Sequence, residues 1–467
     1  MAPAVMLVGL TSGCLSIQDP PTDLASGQLE PPARFIAAEA LDDGEVRDNW
    51  IADFADERLV RLVEEAIAFN PDLEAAAARV EAAAARIDLA AAALRPRLDG
   101  ALDTARFDEG TGDQDLTSLN LQVGWEVDLW GRLRSDTAAV RQEAIATALD
   151  YAYARQSLAA LVADAWFLAV ASKLQLAIDL DRLEAEEQTA EITRERTVAG
   201  ISTQLDNELA QANVDLARAA VEESRSALEE SVRAMEILLG GYPAAELEVA
   251  DALPPQPAPV PTGVPSDLLE RRPDVRAADR LVAAAFYGVE SAKAARLPRI
   301  TLTGALGAVL DPTNGIWSIG AGLLQPLYTG GAIAAEIEIT EARQREALAI
   351  YVAVGIDAFR EGESALANEA YLTERSAYLD TATARLASAS EISQARYDGG
   401  ILTIFELIQT RRQYFDTRSL LLQVQTERLR QRINLYLALG GSFDVSEAVD
   451  AGGEAGRNQE FVHDIGE

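Results

Sequence analysis

The chain is poor in the residues on which most protein chemistry depends. Its 467 residues hold one cysteine and one histidine. One thiol excludes an internal disulfide, and one Cys with one His excludes both zinc sites built from those ligands and a His-based triad within the chain. No catalytic residue, metal site or cofactor is expected. Aromatic residues make up only 6%, and 40 basic residues face 75 acidic ones, a net charge of −35. That charge repels phosphate backbones and excludes a nucleic-acid role. No run of some 18 apolar residues is expected beyond the amino terminus, and mean hydropathy is zero. A membrane role stays open, because β-barrel strands leave almost no hydropathy signal.

Proline is missing from 97 to 242 and again from 327 to the end, while it clusters at 254–265. Proline breaks helix interiors, so the two tracts read as very long helices and residues 251–266 as the linker between them. Glycine sharpens the reading. Residues 132–199 contain neither Gly nor Pro and are rich in Ala, Leu, Glu and Arg, which predicts one helix about 100 Å long. Gly200 interrupts it, residues 201–239 are again free of both, and Gly240-Gly241-Tyr242-Pro243 stops the helix.

The second half repeats this pattern. Gly400, the tract 401–439 and Gly440-Gly441 stand 200 positions on. Asn70-Pro71-Asp72-Leu73 pairs with Arg272-Pro273-Asp274-Val275, and Arg95-Pro96-Arg97-Leu98 with Leu297-Pro298-Arg299-Ile300. Arg196, Gly200, Thr203 and Asp206 pair with Arg396, Gly400, Thr403 and Glu406. Repetition on this scale marks a duplicated unit. The copies are expected at 48–250 and 267–441, with an acidic tail at 442–467 expected to be disordered.

Between the helices, Leu119, Leu121, Val123, Trp125, Val127 and Leu129 alternate with polar or small residues. Period 2 over eleven residues predicts a strand with one apolar face. Strands are expected at about 98–107, 118–129, 299–309 and 316–327, each long enough to cross a tilted bilayer. Four strands cannot close a barrel, and a membrane forbids open edges, so closure calls for several chains. A soluble α+β protein with two hairpins is the competing reading. Helices of this length weigh against it, and Ala138-Ala139 and Ala159-Ala160 allow the close helix approach of a coiled-coil wall.

At the amino terminus, residues 1–13 are apolar or small and end in Leu10-Thr11-Ser12-Gly13-Cys14. This has the look of a lipoprotein signal with Cys14 as the lipid acceptor, although no Lys or Arg precedes the apolar stretch. Residues 15–47, with Asp19-Pro20-Pro21 and Glu30-Pro31-Pro32, read as an extended lead from that anchor.

Trp125-Glu126-Val127-Asp128-Leu129-Trp130-Gly131-Arg132, Leu268-Leu269-Glu270-Arg271-Arg272-Pro273-Asp274 and Gln325-Pro326-Leu327-Tyr328 with Gly330-Gly331 resemble the TolC-like outer-membrane efflux proteins. The lipoprotein branch that serves RND pumps is the nearest likeness, and it runs from about 48 to 441. The resemblance implies a mainly α fold with a membrane β-barrel, in which a homotrimer forms a twelve-stranded barrel continuous with a coiled-coil tunnel. It implies an inner-membrane RND transporter and a periplasmic adaptor as partners, and no catalysis. A polypeptide-secretion conduit with an ABC-type partner and a soluble periplasmic scaffold are the alternatives.

Candidate site residues lie at the two Gly turns. Gly200 and Gly400 are expected to serve turn geometry, and the acids six residues later, Asp206 and Glu406, to bring six carboxylates to one constriction in a trimer. The resemblance implies that Tyr397, Asp206 and Glu406 hold the tip closed or set its selectivity, with Gln409 standing where some relatives carry a further acid. Plain helix-start electrostatics is the competing account of the two acids. Arg411 and Arg412 are read as an exposed helical face or as ion pairs that lock the tip.

Overall fold

The computed structural model describes residues 17–21, 24–38, 49–108, 113–261, 263–310 and 313–441. Cys14 and the acidic tail lie outside them. The first half contains helices α1 (Glu57–Phe69) and α2 (Pro71–Ala92), strands β1 (Arg97–Asp108) and β2 (Asp113–Val127), and helices α3 (Arg132–Val198) and α4 (Gln204–Leu238). The second contains α5 (Asp267–Arg271), α6 (Pro273–Ala294), β3 (Arg299–Leu310), β4 (Thr313–Leu324), α7 (Ala332–Asp398) and α8 (Ile404–Ala438). The order is the same in both halves. Helices α3 and α7 have 67 residues each and α4 and α8 have 35 each, all displaced by 200 positions.

Each half begins with a helix broken at Pro71 or Pro273, since proline at a first helical position needs no N–H partner. Asn70 caps α2 there, its side-chain oxygen accepting from the Asp72 and Leu73 N–H groups at 3.0 and 3.1 Å. The chain divides into two compact units. One holds Ala78–Leu149 and Asp274–Gly355 with the start of the lead, and the other holds Pro31–Ala77, Asp150–Pro273 and the chain from Ile356.

In the first unit the four strands form one antiparallel sheet in the order β1-β2-β3-β4. The register aligns one face across all of them. Leu98 pairs with Val123 and Leu102 with Leu119, Leu121 with Leu306, Trp125 with Leu302, and Leu306 in turn with Trp317. Asp99 with Gln122, Ala101 with Asn120 and Thr303 with Gly320 occupy the opposite face. The apolar face stands open, with Ile319 84% and Leu102 68% exposed. Strands β1 and β4 are the edges, and among the described residues neither has a second partner. At the base of the sheet the Trp130 indole donates to the Pro298 carbonyl at 2.7 Å and the Trp125 indole to the Leu94 carbonyl at 2.9 Å.

The second unit has the opposite arrangement, with its apolar side chains inside. Trp50, Phe54, Leu59, Trp166, Phe167 and Met235 are fully buried. Trp50 stacks on Tyr436 at 5.4 Å between centroids. Asp53 accepts from the Tyr436 hydroxyl at 2.5 Å, and Asp56 from the Trp166 indole at 2.8 Å. One stretch of α3 is apolar and long enough to span a bilayer, contrary to expectation from the sequence, and half of it is buried. Trp166, Phe167 and Val170 give it core packing instead.

The Pro-rich linker is part of this packing. The Arg432 guanidinium, itself buried, donates to the Pro257 carbonyl at 3.2 Å and to that of Ala258. Gln256 donates to the Arg428 carbonyl at 3.1 Å. The lead is held too, with Phe35 buried and the Glu363 carboxylate accepting from the Ile36 and Ala37 N–H groups.

Candidate functional site

The two Gly turns are built alike. Helix α3 ends where Gly200 takes φ +73°, and α7 where Gly400 takes φ +71°. Those are left-handed conformations that favour glycine. The Ile201 N–H donates to the Arg196 carbonyl at 2.8 Å, and the Ile401 N–H to the Arg396 carbonyl at 2.9 Å. Such six-to-one bonds satisfy carbonyls that the helix end leaves over.

The returning helices start on matching capping boxes. Thr203 Oγ1 accepts from the Asp206 N–H at 3.2 Å, and Asp206 accepts from the Thr203 N–H at 2.9 Å. Thr403 and Glu406 do the same at 3.4 and 3.0 Å. The threonine hydroxyl also donates to each carboxylate, at 2.9 Å for Asp206 and 2.7 Å for Glu406. Hydrogen bonds from the Thr403 side chain and backbone hold the Glu406 carboxyl below its ordinary range. Thr203-x-x-Asp206 and Thr403-x-x-Glu406 are readable in the sequence as capping boxes. Sequence reasoning paired the two threonines across the repeat without giving them that role.

The other site residues differ between the turns. Tyr397 is buried in a cluster with Ala190, Ala210, Val214, Ile404 and Leu407. Its hydroxyl shares a 2.7 Å hydrogen bond with Thr193 Oγ1, which ties the second turn to α3. The Arg196 guanidinium sits 4.4 Å from the Tyr397 ring centroid and donates to the Asp398 carbonyl at 2.8 Å. Gln409 and Arg412 are exposed. Around the turns Val198, Ile201, Leu205, Ile401 and Phe405 leave apolar side chains in solvent.

Arg411 departs from the expected exposed face. It is buried, and it donates to the Ala185 carbonyl and to Gln394 Oε1 at 2.5 Å each, and to Thr189 Oγ1. One guanidinium thereby joins α3, α7 and α8. Glu186 is buried beside it, and burial pushes its carboxyl above the ordinary range against the charges of Arg411 and Arg182. Farther from the turn, ion pairs continue along α3 and α8: Asp181 with Arg418 at 2.7 Å and Asp164 with Arg430 at 2.5 Å. Nothing in the one-dimensional pattern marks Arg411 as buried, because its surroundings come from three helices. Among the described residues no cluster of His, Cys, Asp and Glu is arranged to hold a metal ion.

Residues 62–241 and 264–441 match the family described as outer membrane efflux protein, once per repeat. The chain is 30% identical over 442 residues to the pyoverdine export outer membrane protein OpmQ of Pseudomonas putida, covering 89% of this chain and 93% of that one. It is 28% identical over 408 residues to the cation efflux system protein CusC of Escherichia coli, covering 85% and 88%. The solved outer-membrane channel OprN superposes with a TM-score of 0.82 at 27% identity, covering 88% of this chain and 97% of that one. A one-sided sheet with two open edges, a twofold repeat of 67-residue helices, and these likenesses agree: the chain belongs to the outer membrane efflux protein family and is an outer-membrane channel component.

Proposed function

We propose that three copies of this chain form the exit duct of a tripartite pump. The observation that carries the reading is the sheet, whose apolar face is open and whose edges β1 and β4 have no second partner among the described residues. Pairing β4 of one copy with β1 of the next closes twelve strands and leaves no edge in the membrane. Helices α4 and α7 repeat the situation, since no hydrogen bond or ion pair among the described residues joins them within a chain. Helix α4 of one copy then meets α7 of the next, which closes a helical tunnel. An inner-membrane RND transporter loads the duct through a periplasmic adaptor, which docks on the apolar rims around Gly200 and Gly400. A lipid on Cys14 adds an anchor. The names of the relatives specify pyoverdine in one case and cations in another, so the pump sets the cargo of small molecules and the duct passes it.

The test is purification of the full chain from outer membranes in mild detergent, with mass measurement and planar-bilayer recording. A trimer that conducts after reconstitution is expected, and a monomer recovered from the soluble periplasm ends the reading. Metabolic labelling with a radioactive fatty acid checks the anchor: label should appear on the natural chain and vanish in Cys14→Ser. Co-purification of a polypeptide-exporting ABC transporter in place of an RND pump would turn the assignment toward secretion.

At the tip, Asp206 and Glu406 would give a trimer six carboxylates, with Tyr397 holding the turn shut and Gln409 lining the approach. Because both acids close capping boxes, alanine would disturb the helix starts as well as the charge. Asp206→Asn with Glu406→Gln keeps an acceptor for the cap and removes charge. Reduced preference for cations in the bilayer recording is expected, and unchanged selectivity leaves these acids as caps only.

A further inference from the structure

A chain with 75 acidic and 40 basic residues repels anionic surfaces. A cavity walled by cations is therefore out of character. Lys293 stands in the last turn of α6 and Arg296 just beyond it. The offset of 202 that relates α6 to α2 places Ala91 and Leu94 opposite them. Cations near a helix C-terminus are favoured by the helix dipole, but α2 ends with neither, so the repeated fold does not demand this pair.

Lys293 and Arg296 wall a cavity of about 560 Å³ together with Trp130, Ser135, Glu290 and Gln18. Its size is that of a small-molecule pocket. All of these residues belong to the first unit. Lys293 Nζ pairs with the Glu290 carboxylate at 3.0 Å. Arg296 is exposed, its Nε donates to the Lys293 carbonyl at 3.3 Å, and among the described residues no carboxylate pairs with its guanidinium. The cavity thus carries one uncompensated positive charge beside the neutral polar side chains of Gln18 and Ser135. The lead supplies one wall and is held in place. Asp19 accepts from the Tyr287 hydroxyl on α6 at 2.9 Å. Ile17 lies against Gly131, where a Cβ would come within 3.0 Å of the isoleucine side chain.

Position gives this charge its ligand. The Trp130 indole is fixed on the Pro298 carbonyl at 2.7 Å, so the cavity lies at the foot of the central strands, where Val127 of β2 pairs with Ile300 of β3. The next rung of the apolar face is Trp125 with Leu302. In an outer-membrane channel component this is the level at which hydrocarbon gives way to headgroups, a depth that suits indole rings and cations alike. We propose that the cavity binds an anionic glycerophospholipid. Its phosphodiester meets Arg296 and Lys293, the hydroxyls of its headgroup meet Gln18 and Ser135, and its acyl chains lie along the open apolar face above Leu297. The edges β1 and β4 take no part, so the site is complete within one chain.

Native mass spectrometry of the full chain in mild detergent tests this, with phosphatidylglycerol or phosphatidylcholine added. The natural chain is expected to keep one phosphatidylglycerol for each chain and about tenfold less phosphatidylcholine, whose headgroup is cationic and has no hydroxyl. Lys293→Gln with Arg296→Gln is expected to lower retention of phosphatidylglycerol about tenfold. Arg61→Gln with Arg360→Gln removes the same charge from exposed positions of the second unit and should leave retention unchanged. Equal retention of the two lipids, or equal loss in the two double variants, overturns the proposal. Inorganic phosphate is the third probe, and its displacing the lipid at matching concentration would make the cavity a free-phosphate site and overturn the lipid assignment. A measurement on the natural chain alone decides the matter if the first double variant does not fold. Phosphatidylglycerol with a photoreactive headgroup, in phosphatidylcholine vesicles holding the full chain, is expected to label the segments around Trp130 and from Lys293 to Leu297. Label confined to the strands overturns the proposal. Recovery of the chain as a monomer bears on the duct reading and not on this site, which takes one lipid to each chain in either state.

Discussion

The sheet and the helical core are built from similar residues placed in opposite ways. In the core, Trp50, Trp166, Phe167 and Leu59 are withdrawn from solvent, and polar atoms such as the Trp166 indole and the Tyr436 hydroxyl find carboxylate partners. In the sheet, Leu102, Trp317 and Ile319 are exposed on one face while Asp99, Gln122 and Thr303 lie on the other. A water-soluble chain organised like the sheet would expose far more contiguous apolar surface than a monomer tolerates. The difference teaches that the chain is written for two solvents. Helices bury apolar groups against each other in water, and strands offer theirs to lipid, whose core accepts them without a protein partner.

The largest expected effect comes from the water-facing side of the comparison. Trp166→Ala empties a packed site under α3 and removes the donor to Asp56, so it should cost about 3 to 5 kcal/mol. Thermal unfolding of the purified protein followed by circular dichroism checks this, with loss of the helical signal at markedly lower temperature. A silent result would show that the core does not hold the helices as the packing implies.

The second effect sharpens the lipid side. Leu121→Arg places a charge on the apolar face of a central strand, where the cost is about 2 to 4 kcal/mol near the bilayer midplane. Gln122→Arg, one residue along, places the same charge on the polar face and should be nearly neutral. The ratio of folded protein in the outer-membrane fraction, read by heat-modified mobility on gels, compares them. Equal yields would mean that the two faces share one solvent.

Much of this was legible in the sequence, for physical reasons that differ by element. Helix α3 announced itself by the lack of Gly and Pro between Arg132 and Val198, because both residues destabilise helix interiors. Helix α7, which contains Gly355 and Gly362, did so by its lack of Pro and its place in the repeat. The strands were legible because period 2 survives wherever two faces meet different solvents, as at Leu119 to Val127. Asp206 and Glu406 were found as acids, and the Thr-x-x-acid spacing that explains their hydrogen bonds was present. What stayed hidden depends on long-range packing. The Trp50 to Tyr436 stack joins residues 386 positions apart. Likewise, Arg411 looks like any helical arginine until α3 and α7 enclose it.

The smallest effects come from comparing the two turns, which share a design but carry different acids. Thr203→Ala and Thr403→Ala each remove a capping hydroxyl and should cost about 1 kcal/mol of local helix stability. Hydrogen exchange of the amides at the starts of α4 and α8 reads this directly. The second turn adds a pH dependence. Glu406 is held below its ordinary range by the Thr403 hydroxyl and N–H, so the folded turn binds a proton less readily than the unfolded chain. Its contribution is then present above the ordinary glutamate range and fades as pH falls through the lowered value. Exchange protection at the start of α8 should weaken on acidification in the natural chain, and less so in Thr403→Ala, which has already lost the hydroxyl. Identical acid profiles in the two proteins would mean that this hydroxyl does not hold the Glu406 charge, leaving the tip's acids free to act on ions alone.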